Sequence, residues 1–228
     1  MKLSISMTKT EWNLGWLFLV AQLLVLPVAL VMANQLLGSP LSVAELNFVL
    51  FVINFLLTLA IFHRFLWSSL RLSLCAPFRY LRAAFLGFAA YYLLSFLVGI
   101  FIQTVYPAFS NVNDENIILM SQDGYTLMAV GTILLVPITE ETLYRGLVFR
   151  GLHSKSRLAA YAVSTAVFAF IHIAGYIGAA EPIVLLLCFL QYIPAGLTLA
   201  WAYERADSIW APILMHIAIN QIGMSSMR

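Results

Sequence analysis

Charge is what this sequence has least of. Aspartate, glutamate, lysine and arginine make up 10% of its 228 residues, where soluble domains carry about 25%. Hydrophobic residues are 62%, against about 45–50% in soluble proteins. So large a deficit excludes an ordinary water-soluble domain and makes lipid the solvent for most of the chain. The net charge is +2 and no dense basic stretch is present, which excludes a nucleic-acid partner. Cysteine is nearly absent. Cys75 lies in an Arg-rich flank and Cys188 in an apolar run, at different depths, so a disulfide framework is excluded and both read as structural. No Gly-rich phosphate loop, Ser–His–Asp set, internal repeat or low-complexity tract appears.

What is there is a series of apolar runs at about 13–33, 46–66, 83–104, 125–143, 158–177, 183–203 and 209–224. About 20 apolar residues cross the hydrocarbon core as a helix. The expectation is an all-α, polytopic transmembrane helical bundle of about seven spans, six to eight at the outside. The first run is longer than a signal-peptide core and reads as a retained anchor. Lys2 and Lys9 precede span one; Arg64, Arg71, Arg79 and Arg82 fill the second connection. Arg145, Arg150, Lys155 and Arg157 follow span four, and Arg205 follows span six. The alternate connections hold Glu45, Asp114, Glu115, Asp123 and Glu181 instead, and only Arg228 breaks the pattern. By the positive-inside rule the N-terminus is expected in the cytoplasm. Residues 67–82 read as an interfacial segment and 105–124 as a polar external loop.

Ionisable side chains inside a membrane cost about 2.5–3.5 kcal/mol each on insertion scales. In the spans they concentrate after residue 125: Glu140, Glu141 and Arg145, then His172, then His216, with Asn220 as a neutral companion. Spacing sorts them, because i and i+4 share a helix face. Glu141 and Arg145 can pair. Glu140, one residue away, is turned about 100° from that face and keeps its carboxylate free. Phe168 shares a face with His172, and His216 with Asn220. A carboxylate not consumed by an ion pair can act as general base on water, an imidazole can position that water, and a His–Asn pair can donate to a developing oxyanion. These are the parts of a peptide-bond hydrolase with water as nucleophile. His63 and His153, beside Arg64 and Lys155, read as solvated.

The pattern Glu140-Glu141-x-x-x-Arg145, Phe168-x-x-x-His172 and His216-x-x-x-Asn220, with Pro137 ahead of it and YRG at 144–146, resembles the CAAX-protease and bacteriocin-processing (CPBP, or Abi) family of intramembrane proteases. The resemblance covers roughly residues 125–224. It divides one structural domain into three N-terminal helices with their connections, 1–124, and a CPBP-like catalytic membrane core, 125–228. It implies Glu140 as the base that activates water, assisted by His172, with His216 and Asn220 as the oxyanion site. Glu141 and Arg145 become a supporting ion pair and Phe168 a wall beside His172. Tyr144 and Arg150 are candidates for substrate access from the cytoplasmic side.

Family members cut prenylated CAAX proteins, process peptides or sorting tails, or serve bacteriocin immunity. The implied partners are therefore a membrane-anchored protein or peptide and the bilayer, in a prokaryotic inner membrane. A metal-free glutamate mechanism is preferred, because the His-Glu-x-x-His spacing of a helical zinc site is missing. If Zn²⁺ is used, Glu140, His172 and His216 are its ligands.

The assignment carries a structural condition. If span four stopped at Thr139, Glu140 and His172 would lie at opposite ends of their helices. They meet only if the helix carrying TEETLYRGLVFRGL is long or broken and span five begins near residue 160, about 18 Å before His172. Two other functions remain open. One is a non-catalytic binding or immunity protein of the same fold; the other is a proton-coupled transporter, against which the apolar first three spans count.

Overall fold

The structure, a computed structural model, describes residues 3–226; Lys2 and Arg228, used above for orientation, lie outside them. In lipid every backbone amide needs an internal partner, so an apolar chain must be helical. Among the described residues seven helices result: α1 (Lys9–Gln35), α2 (Val43–Cys75), α3 (Pro77–Val105), α4 (Val112–His153), α5 (Arg157–Ala174), α6 (Pro182–Ala206) and α7 (Trp210–Ser226). No strand occurs among the described residues; a lone bridge pairs Ile177 with Ala180. Helices α1 to α6 are long and apolar enough to cross a membrane. Helix α7, with 17 residues, is about 26 Å long and completes the bundle. Side chains such as Leu36, Phe78 and Leu158 stand fully outward, as lipid allows and water would penalise. The chain is an integral, multi-pass membrane protein.

Sequence chemistry sets the helix ends. Thr8 with Glu11 and Ser42 with Glu45 form capping boxes at α1 and α2, each satisfying two orphan amides. Glu11 does more. Helix α2 is broken at Phe62 (φ −105, ψ 18), and the amide of Phe65, three residues on, donates to Glu11 Oε1 at 2.8 Å. Oε2 of the same carboxylate accepts from Thr8 N at 2.8 Å. One buried acid thus caps its own helix and a kink in the next.

Two expected connections are helical. Of residues 105–124 only 106–111 form a connection: Asn111 caps α4 through Asn113 N and Asp114 N, and the helix bends at Gly124 (φ −161, ψ 55). The acids Asp114 and Glu115, which give this stretch the look of a loop, complement the helix dipole in the first turn. Residues 67–82, expected at the interface, are helical on either side of Ala76. Helix α2 runs on to Cys75, with Arg71 5.1 Å over the Trp67 ring, until Pro77 opens α3. Cys75 and Cys188 are both free.

The two ends of the bundle differ. At one, Ser4 N donates to Asp207 at 2.9 Å, Ser208 bonds Ser73 at 2.6 Å, and Glu204 accepts from Arg157 (2.7 and 2.8 Å), Tyr161 (2.7 Å) and His153 (2.8 Å). His153 is therefore packed against Glu204, 8% exposed; His63 is exposed as expected. Lys9, Arg71, Arg79, Arg82, Arg150, Lys155, Arg157 and Arg205 belong to the helix termini and connection at this end, and Arg64 lies further inside α2. At the other end Asn111 bonds Gln191 at 2.9 Å and Asn113 bonds Tyr192 at 3.0 Å.

Candidate active site

Helix α4 meets the condition set by the sequence. It runs unbroken past Thr139 as helix Val136–Glu141, a π-helical stretch Thr142–Phe149, and a last turn Arg150–His153. Helix α5 starts at Arg157. A second π-helical turn, Gly131–Leu135, precedes Pro137. Here the amide of Val136 donates to the Gly131 carbonyl, five residues back. In that register the Thr132 carbonyl would need the amide of residue 137, which is proline and has none. Asn220 supplies it from α7, Nδ2 donating to Thr132 O at 2.8 Å. The proline ahead of the glutamates thus creates the backbone acceptor that pins α7 to α4.

Glu141 and Arg145 form the expected i,i+4 pair, Nη1 to Oε1 at 2.9 Å, with both side chains fully buried. The guanidinium also donates to the Gly196 carbonyl of α6 at 3.3 Å and lies 4.5 Å from the Phe168 ring centroid. Gly196 also lets α6 approach α5: a Cβ there would stand 2.6 Å from the Thr165 methyl and 3.0 Å from its Cα. A further contact is not legible in sequence. His216 Nδ1 lies 2.8 Å from Glu141 Oε1, so Glu141, not Glu140, is the carboxylate that holds His216. A carboxylate accepts, so Nδ1 carries the proton and Nε2 is free to face elsewhere.

His172 is held by its own helix, Nδ1 donating to Phe168 O at 2.7 Å. Its ring packs on Phe168 at 4.5 Å and Tyr192 at 4.3 Å between centroids. A carbonyl can only accept, so the neutral ring presents the Nε2 lone pair on its other side. Glu140 makes no hydrogen bond with any described residue, and its Oε2 is buried without a partner.

Glu140, His172, His216 and Asn220 all line one cavity of about 570 Å³, with Phe168 in its wall. Tyr144 and Arg150 do not. Tyr144 is 1% exposed, edge-on to Phe168 behind the ion pair. Arg150 bonds Tyr203 and Leu3 O at the basic end. The cavity also takes in Asn111, Asn113, Asp114, Tyr176, Gln191 and Tyr192. Sequence spacing does not reveal these, because nothing in it ties the start of α4 to its middle. Among the described residues no three His, Cys, Asp or Glu side chains are grouped to hold a metal ion. The trio Glu140, His172 and His216 does not fit Zn²⁺ as arranged.

Comparison with known proteins agrees with the motifs. Residues 122–222 match the family described as type II CAAX prenyl endopeptidase Rce1-like. A Bacillus subtilis (strain 168) protein named "Putative membrane peptidase YdiL" is 30% identical over 95 residues, which are 41% of this chain. The matched stretch spans about a third (34%) of that relative's length. No solved structure matches the chain. The glutamate, histidine and asparagine motifs on α4, α5 and α7 accordingly all lie within the segment, residues 122–222, that matches the Rce1-like family.

Proposed function

We propose that this chain is an intramembrane endopeptidase that hydrolyses a peptide bond of a membrane-associated protein or peptide with a water activated by Glu140. The observation that carries the reading is the convergence of four polar side chains from three helices on one cavity, where the Glu140 carboxylate alone has no protein partner. Burying an unpaired carboxylate is costly, and a fold keeps such a group where it has work to do.

In this mechanism Glu140 takes a proton from water as the water oxygen adds to the scissile carbonyl carbon. The Nε2 lone pair of His172 accepts the second water hydrogen and fixes the attack direction. The carbonyl oxygen becomes an oxyanion, met by the second Nδ2 hydrogen of Asn220 and by His216 Nε2 when that ring carries both protons. Glu140 then returns its proton to the leaving amine as the C–N bond breaks. Glu141 is a positioning residue: Oε1 holds both Arg145 and His216. The basic end of the bundle is taken as cytoplasmic, in a prokaryotic inner membrane.

The test is cleavage of a library of membrane-tethered peptides by purified wild type, Glu140→Gln and Asn220→Ala, with and without a strong chelator. The expected result is loss of at least about 10³-fold in Glu140→Gln, about 10²-fold in Asn220→Ala, and activity that survives the chelator. Equal cleavage by wild type and Glu140→Gln refutes the role of Glu140. Tight peptide binding with no cleavage by any form favours the non-catalytic binding protein. Activity lost with the chelator and restored by Zn²⁺ refutes the metal-free mechanism.

A further inference from the structure

The cavity has a direction. Its floor is Val136, Glu140, Phe168, Ala195, Leu199 and His216, residues in the middle of α4, α5, α6 and α7 or toward their inner thirds. Its remaining wall climbs one way only. Asn47 lies near the start of α2, Asn111, Asn113 and Asp114 at the start of α4, Tyr176 just past α5, and Met224 near the end of α7. All of these belong to the end of the bundle that holds Glu45, Asp114, Glu115 and Glu181 rather than lysine and arginine.

The other way is closed. Every residue from Thr142 to Phe149 is buried, and Leu143, Leu147, Phe149 and Tyr203 pack into one apolar core beneath the floor. Below that core, Glu204 ties α4, α5 and α6 together through His153, Arg157 and Tyr161. Water or peptide arriving from the basic end would have to open this buried core. Arg150, at that end, faces a separate cleft beside Trp12 and Thr8.

We infer that the substrate reaches Glu140 from the Lys/Arg-poor end of the bundle, so that the bond cut lies in an extracytoplasmic segment of a membrane-anchored chain. The inference rests on the protease reading for what happens at Glu140, but the route follows from packing and charge. The wall along the route suits an extended polypeptide. Asn111, Asn113 and Gln191 offer amide donors and acceptors, and Tyr176 and Tyr192 offer hydroxyls, the groups that pair with peptide N–H and C=O. Tyr92 and Ile222, exposed on the outside of the bundle, also border the cavity. They give an anchored chain a lateral lip over which to bend in.

The experiment reads access without needing proteolysis. Cys75→Ser removes the exposed thiol; into that chain go Glu140→Cys at the floor and, separately, Ser154→Cys on the exposed basic-end connection. A small membrane-impermeant cationic thiosulfonate is added to spheroplasts and to inverted membrane vesicles. The Cys75→Ser chain alone supplies the background for Cys188.

The expected result is that Glu140→Cys reacts at least about tenfold faster in spheroplasts and Ser154→Cys at least about tenfold faster in inverted vesicles. Faster reaction of Glu140→Cys in inverted vesicles overturns the inference, as does no reaction from either side. Labelling of Ser154→Cys from outside overturns it too, since the basic end would then face outward. Gly223→Cys, at the rim, replaces Glu140→Cys if that variant does not fold. Failure of Glu140→Gln to abolish cleavage would sink the protease reading and leave this result standing; reversed labelling would do the opposite.

Discussion

Removing the Arg145 charge tests the physical argument beneath the site. Arg145→Met keeps length and apolar volume but deletes the cation that Glu141 faces at 2.9 Å. At an effective dielectric of about 20, unit charges that close attract by about 6 kcal/mol. Both charges are delocalised and both were desolvated to get there, so the loss on removing one partner is expected at about 3–5 kcal/mol. The bond to Gly196 O and the stacking on Phe168 go with it. Glu141→Gln strands the arginine instead and should cost a similar amount. The double variant strands neither charge, and the amide oxygen that replaces the Glu141 carboxylate can still accept from His216, so it is expected to cost only about 1–2 kcal/mol. The measurement is unfolding in mixed micelles, followed by tryptophan fluorescence, for all four proteins. A cost below about 1 kcal/mol for Arg145→Met refutes the claim that the pair neutralises the site, as does a double variant equal to the sum of the singles.

Three further predictions use the same measurement. Gly196→Ala places a Cβ against Thr165 backbone and side chain, forcing α5 and α6 apart; a loss of about 1–3 kcal/mol is expected, and an unchanged midpoint would contradict the packing. Glu11→Ala leaves the amides of Thr8 and Phe65 without acceptors, for about 2–4 kcal/mol, together with faster amide exchange at Phe65 than at its neighbours. Asn220→Ala should cost about 1–3 kcal/mol in the native chain. In a Pro137→Ala background, where residue 137 regains an amide for the Thr132 carbonyl, it should cost under about 0.5 kcal/mol; equal costs in both backgrounds would refute the proline–asparagine link.

How much of this can be read from sequence depends on how far apart in the chain the interacting residues lie. Helical spacing carries contacts at i+4, so the Glu141–Arg145 pair and the Phe168–His172 stack are legible, and both are present. Hydropathy carries the spans, and the helices stand close to where the apolar runs do. It misplaces the ends, because Arg71 and Asp114 are polar yet sit in helices: one can stack on a tryptophan, the other opens a first turn, and neither use lowers helix propensity enough to stop the chain. His153 looks solvated in sequence for a related reason, since its partner Glu204 is 51 residues away.

The contact that changes the chemistry is of the illegible kind. Glu141 and His216 are 75 residues apart, and no periodicity joins them. Sequence divides the two glutamates into one that works and one that merely neutralises an arginine. Geometry divides them differently. Glu141 holds Nδ1 of His216, so in the proposed mechanism it governs what the ring can offer a developing oxyanion without touching the substrate. Glu140 is left free while its neighbour takes both Arg145 and His216. Adjacent carboxylates thus serve different ends at the same place: Glu141 lies on the face that meets Arg145 and His216, and Glu140, about 100° around the helix, lines the cavity with its Oε2 unpartnered, where the proposed mechanism needs a base.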